Sequence, residues 1–333
     1  MPTHVLVTGG CGFIGSALVE YLLKNTDWEI TIIDMLSYAS AGYQRLREIG
    51  ATTANPRIRN IIPQDLSQSG CLTLALQKEI GAVDFILHLA ASTHVDHSIS
   101  DPVNFVQNNV NSTLYMLEYA RKLKPSLKRF LYFSTDECFG PAPDGVAFKE
   151  GDRHNPGNPY SASKSASEMI CKSYANAYGI PLQVVNCMNA FGERQLAEKF
   201  IPLCIKKILA GEKIYVHTDP NGRPGSRTYI HSSQIARAVQ FVITEGKIGE
   251  SYNIAGSAEV DNLRVAVLIS EILEKPLNYE LISYDQSRPG HDIAYRLDAS
   301  KLTAIGFTIP DTFLADLTRT VEWTLKNKRW LED

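Results

Sequence analysis

The chain has no apolar run near the roughly 18 residues that a membrane span needs, and no such span is expected in its 333 residues. It also lacks a charge excess. The net charge of -3 excludes broad nucleic-acid binding. Its six cysteines, Cys11, Cys71, Cys138, Cys171, Cys187 and Cys204, are scattered and form no CxxC pair. Neither a disulfide framework nor a zinc site is expected, and no metal. Internal repeats and low-complexity tails are missing too. The opening Met-Pro-Thr-His-Val-Leu-Val-Thr runs at once into glycine, unlike a signal peptide. A reducing, cytoplasmic setting is the expectation.

What is present is ordinary for a globular enzyme: 44% apolar and 21% charged residues, enough chain for one or two domains. Residues 4–8 are a β-branched run. Gly9, Gly12 and Gly15 follow with GxxGxxG spacing, then a helical pattern through Lys24. Glycines so placed permit a tight turn and let backbone N–H groups approach a pyrophosphate. Alone they mark only a strand-to-helix turn. A second strand, 29–33, ends in Asp34, 19 residues after Gly15. An acid there accepts from an adenosine ribose and repels a 2′-phosphate. With no arginine directly after Asp34, NAD is expected over NADP. Phe13 and Ile14 belong to the same turn. Asp65 and Leu66, after a third strand at 58–62, are a candidate adenine wall. Leu89, Ala90 and Ala91 end the strand 83–89 and leave room for a dinucleotide. His88 lies inside that strand and reads as a core histidine. His94, Asp96 and His97 read as ligand contacts or loop hydrogen bonds. A helix is predicted over 102–123, and Asn109 within it needs a specific buried partner.

The richest stretch is 131–164. An apolar strand ends in Ser134-Thr135-Asp136-Glu137, where open α/β sheets hold their ligands. After a Pro/Gly-rich loop, Tyr160 and Lys164 lie four apart on one face of a predicted helix, 160–178. An ammonium beside a phenol favours its ionised form, giving a base usable near neutral pH. Alternating strands and helices predict a doubly wound parallel sheet. After residue 185 the rhythm changes. Arg194, Arg227 and Arg288 lie in Gly/Pro-containing loops and are candidates to clamp a diphosphate. Each is equally well explained as a solvated arginine. The expected division is an NAD-binding Rossmann domain, 1–185 plus about 228–258, and a smaller discontinuous lobe, 186–227 and 259–333.

These motifs together resemble the extended short-chain dehydrogenases/reductases, and among them the nucleotide-sugar 4,6-dehydratases of the dTDP-glucose type. The narrower mark is Thr135-Asp136-Glu137, with His88-Leu-Ala-Ala91, Asn186-Cys-Met-Asn189, Glu198-Lys199 and Arg288-Pro-Gly-His291. The resemblance implies tightly bound NAD held by the glycine turn, Asp34, Asn109, Tyr160 and Lys164. It implies oxidation at C4 by Tyr160 with Thr135 on the C4 oxygen. Glu137 would then take the C5 proton and Asp136 protonate the leaving C6 hydroxyl. It further implies substrate contacts from His94, Asn189, Arg194, Glu198, Lys199, Arg227, Asn262, Arg288 and His291, and a homodimer through helices 102–123 and 160–178. Ser92 and His97 depart from the Glu and Arg often found there, and the 218–229 loop departs as well. These changes bear on the nucleotide (dTDP or UDP) and on the sugar. A 5,6-ene-forming dehydratase and a UDP-sugar 4-epimerase or decarboxylase are the rival readings; the carboxylate pair argues against epimerisation.

Overall fold

A computed structural model describes residues 2–124, 126–283 and 294–332. Seven parallel strands form one sheet in the order β11-β6-β5-β4-β1-β2-β3. They are β1 (His4–Thr8), β2 (Glu29–Asp34), β3 (Ile58–Pro63), β4 (Phe85–His88), β5 (Arg129–Thr135), β6 (Leu182–Cys187) and β11 (Ser251–Ile254). Their near-continuous apolar runs follow from burial on both faces. On one face lie α1 (Phe13–Asn25) and α8 (Ser232–Glu245), packing Leu18, Leu22, Val239 and Val242 onto the sheet. On the other lie α5 (Pro102–Leu123) and α6 (Pro159–Tyr178), which bury Met116, Leu117, Ala120 and Cys171.

The strand order reverses between β1 and β4, so their carboxyl ends open a crevice there. Strand β4 is shorter than the expected 83–89. Leu89 and Ala90 have left its ladder, and their N–H groups reach the Thr8 carbonyl and hydroxyl, each at 3.2 Å. Strand β6 continues the sheet past residue 185, where the sequence rhythm breaks. The expected helices 102–123 and 160–178 form within a residue of those bounds. Asp101 caps the first. An Asn158/Ser161 capping box with Pro159 in the first turn starts the second, and Gly179 closes it at φ 64.

A second core lies outside the sheet. It packs α7 (Phe200–Ala210) and α9 (Asn262–Leu273) with β8 (Ile214–Thr218) and the helix Phe313–Lys326, through Ile205, Ile208, Val216, Ile269 and Val321. Strand β8 pairs in parallel with β13 (Tyr279–Ser283). Arg288 and His291 lie outside the described residues.

Candidate active site

The glycine turn is built by close approach. Gly9 adopts φ 72, and a Cβ there would stand 2.8 Å from the Ala90 nitrogen. A Cβ on Gly15 would stand 2.1 Å from the Gly9 carbonyl oxygen. Helix α1 therefore starts inside the turn, at Phe13, and aims its first N–H groups at the crevice. Asp34 ends β2 beside it, accepting from the Cys11 amide at 2.9 Å and the Leu36 amide at 2.8 Å.

These elements enclose a cavity of about 320 Å³. Gly9, Gly12, Phe13, Ile14, Gly15, Asp34, Asp65, Leu66, Leu89, Ala90 and Ala91 line one part. Thr135, Asp136, Glu137, Tyr160, Lys164, Asn189, Glu198 and Lys199 line the other. Strand β5 ends at Thr135, and a 3-10 turn, Asp136–Phe139, follows. Successive side chains on a strand face opposite ways; the turn is what brings both carboxylates to one cavity.

The two carboxylates differ in surroundings. Asp136 is buried at 4% exposure. Its Oδ1 accepts from the Thr135 hydroxyl at 3.0 Å, while Oδ2 has no hydrogen-bond partner among the described residues. Burial pushes its carboxyl up to about 6, against the pull of Thr135 and of the Arg227 charge. Glu137 is more open and lies 3.4 Å from the Asn158 amide nitrogen.

The pairing of Tyr160 with Lys164 departs from expectation. Burial, and after it the Glu137 charge, push the Tyr160 phenol well above its usual value, while a hydrogen bond to Thr135 pulls it down. Lys164 donates to the Phe133 carbonyl at 2.6 Å and lies over the Tyr132 ring at 4.3 Å. Burial lowers Lys164 to about 8. In these surroundings the phenol stays protonated, because burial and the Glu137 charge both disfavour the phenolate.

Other candidates lie elsewhere. Asn109 does not face the cavity. It accepts from the Ser92 amide at 2.7 Å and donates to the Ser92 carbonyl and the Ser163 hydroxyl, so it fixes the 92 loop to α6. Its neighbour Asn108 lines the cavity instead. Arg194 is turned away: it pairs with Glu20 at 3.1 Å and Glu48 at 3.2 Å and stacks on Trp323, in a separate surface groove. Asn262 accepts from the Tyr229 hydroxyl at 2.7 Å and is outside the cavity lining. Arg227 lies over the Tyr295 ring at 4.8 Å, within electrostatic reach of Asp136. His94 stacks on His97 at 4.2 Å and stands 3.9 Å from Glu198. His97 meets the Tyr38 hydroxyl at 3.1 Å. His88 is a core histidine held between Thr8 and Thr113, and burial lowers it to about 3.

Sequence reasoning missed Arg45, Asn108, Ser112 and Gln195, which also line the cavity. Asn108 was within reach of the Asn109 argument; a one-residue step turns about 100° around a helix. Cys138, His154 and Glu168 gather behind the site with potential ligand atoms within 4.8 Å of one another. The Lys172 ammonium, 2.8 Å from Glu168, gives that carboxylate its countercharge, and we read an ion-pair cluster there. The cysteines of the chain are free and buried. No helix among the described residues is long and apolar enough to cross a membrane.

Comparison with known proteins follows the same lines. The profile of the NAD dependent epimerase/dehydratase family matches residues 5–255. The dTDP-glucose 4,6-dehydratase of Salmonella typhimurium is 37% identical, the match covering 99% of this chain and 94% of that protein. A solved dTDP-glucose 4,6-dehydratase from Streptomyces venezuelae, with NAD bound, superposes with a TM-score of 0.88 at 30% identity, covering 99% of each chain. The UDP-N-acetylglucosamine 4-epimerase of Methanobrevibacter ruminantium superposes with a TM-score of 0.84 at 28% identity, covering 98% of this chain and 99% of that one.

Proposed function

The chain belongs to the NAD dependent epimerase/dehydratase family, and from that premise we propose how its own residues carry out an NAD-dependent 4,6-dehydration of a nucleotide-activated hexose. The product is a 4-keto-6-deoxy sugar nucleotide. The substrate we assign is dTDP-glucose, after the relatives, with UDP-hexoses as the alternatives to be tested.

The observation that carries the reading is the carboxylate pair in unequal surroundings at the end of β5. Elimination of water across C5 and C6 needs one group that takes a proton and one that gives it. Asp136, held protonated up to about pH 6 by burial, suits the donor to the C6 hydroxyl. Glu137, more open at the same turn, suits the base at C5. Environments that drive two neighbouring acids apart assign their roles. An epimerase inverting C4 has no use for such a pair.

Tyr160 takes the C4 hydroxyl proton, and Thr135, which hydrogen-bonds both Tyr160 and Asp136, orients the C4 oxygen between them. When bound, NAD, which the glycine turn would hold, would supply the hydride chemistry and a cationic nicotinamide, a charge that favours the phenolate form of a tyrosine. Lys164 would hold the nicotinamide ribose. Glu198, Lys199 and Asn189 are proposed sugar-nucleotide contacts, and Arg227 acts on Asp136 from behind. We assign NAD binding to residues 1–185 with about 228–258, and sugar-nucleotide binding to the remainder. A homodimer through the outward faces of α5 and α6 is part of the same proposal, and exposed Val103, Val106, Ala162, Ala166 and Met169 support it.

The test is turnover of a panel of dTDP- and UDP-hexoses, read as a 4-keto product by absorbance and mass. Turnover of dTDP-glucose with loss of one water is expected. A C4 epimer of unchanged mass would replace this reading with the epimerase one.

A further inference from the structure

Asp34 alone predicts a site that rejects a 2′-phosphate, and no arginine directly follows it. The fold brings one from further along the chain. Arg45, in the short helix α2 (Gln44–Glu48), is fully buried and lines the cavity beside the glycine turn. Cys11 links it to Asp34: the Cys11 amide donates to the carboxylate at 2.9 Å, and the Cys11 carbonyl accepts from Arg45 Nη1 at 3.2 Å. Nη1 also donates to the Ala39 carbonyl at 2.8 Å, and Nε to the Arg194 carbonyl at 2.9 Å. The Trp330 ring covers the guanidinium at 4.9 Å. Nη2 is buried and has no partner among the described residues.

Its hydrogen-bond partners are carbonyls, which hold the fork in place without cancelling its charge. Glu48, the other acid nearby, is taken by Arg194 at 3.2 Å and Arg329 at 2.8 Å. The cation that acts on Asp34 is Arg45. Burying a guanidinium this deeply is costly, and a mere pin between loops needs no charge. An acid beside the adenosine ribose favours NAD, whereas an arginine nearby accommodates a 2′-phosphate. This site carries both.

We propose that Arg45 is a cofactor-specificity residue: sealed beside Asp34, it offsets that carboxylate and lets the site take a 2′-phosphorylated nicotinamide dinucleotide as well as NAD. The proposal rests on the reading that this cavity holds a dinucleotide. The full chain is equilibrated with equal concentrations of NAD and NADP, and the nucleotide released on denaturation is quantified by mass spectrometry. Wild type should retain NADP at about a tenth of NAD or more. Arg45→Met should lower the NADP:NAD ratio at least tenfold, and Arg45→Lys should stay within threefold of wild type. Arg45→Gln, which keeps an amide donor for the carbonyls and removes the charge, should also lower the ratio at least tenfold; it decides the matter if Arg45→Met fails to fold. Lower occupancy by both nucleotides with an unchanged ratio would mean a structural pin only and overturn the proposal, as would an unchanged ratio in Arg45→Gln. Retention of neither nucleotide by wild type would instead remove the dinucleotide reading itself.

Discussion

The two parts of the molecule hold their functional side chains differently. Around the seven-stranded sheet, residues are fixed by backbone: Gly9 and Gly15 by approach distances that exclude a Cβ, and Asp136 by the exact place where β5 stops. In the smaller part, polar side chains sit on loops and at element ends, and their partners are chosen by tertiary contacts. Arg194 and Asn262 were candidates there, and both are engaged elsewhere, with Glu20 and Glu48 and with Tyr229. The proposed chemistry sits where backbone fixes the side chains, and the proposed sugar-nucleotide contacts sit where tertiary contacts do.

The largest effect should come from the strand end. An Asp136→Asn/Glu137→Gln double variant is expected to retain NAD yet lose turnover by about 10⁴-fold, as removal of paired acid and base groups would. Nucleotide content and product yield check this together; unchanged turnover would move the chemistry off β5.

Stability sharpens the same point. The Asp136 carboxyl is raised from 3.8 to about 6 in the folded chain. A raised acid favours the native state fully only below its unfolded value, and that advantage is lost as pH rises through the folded one. Asp136→Asn should therefore match wild type below about pH 4 and be more stable above pH 6, by about 3 kcal/mol. Denaturant titrations at both pH values measure the difference.

A Gly15→Ala variant pushes a methyl onto the Gly9 carbonyl and should cost about 2 kcal/mol, as overpacking does. NAD content should fall with the melting temperature. The smallest effect is expected at Arg194→Ala. Losing two partly exposed ion pairs should cost about 1 kcal/mol or less and leave KM for the sugar nucleotide unchanged. A large rise in KM would return Arg194 to the diphosphate and erase the contrast between the two parts.

This contrast also explains what the sequence could show. The glycine spacing and Asp34 are legible because a dinucleotide of constant shape demands one turn and one strand end. Asp136 and Glu137 are legible because they follow an apolar run that can only be a buried strand. Arg45 was not, since a 3-10 turn, Tyr38–Ser40, separates it from Asp34, it sits inside the short helix Gln44–Glu48, and nothing local ties it to Cys11. Tyr160 and Lys164 were correctly paired on one helix, but the protonation of Tyr160 depends on burial and on Glu137, which helix spacing does not encode.

The central claim is that hydride taken from C4 returns to C6 after Asp136 and Glu137 have removed water. Turnover of dTDP-glucose deuterated at C4, with the label located by NMR, tests it directly. The account predicts deuterium at C6 of a 4-keto-6-deoxy product, with bound NAD unconsumed. Deuterium still at C4, in a 5,6-ene or an epimer, would contradict it.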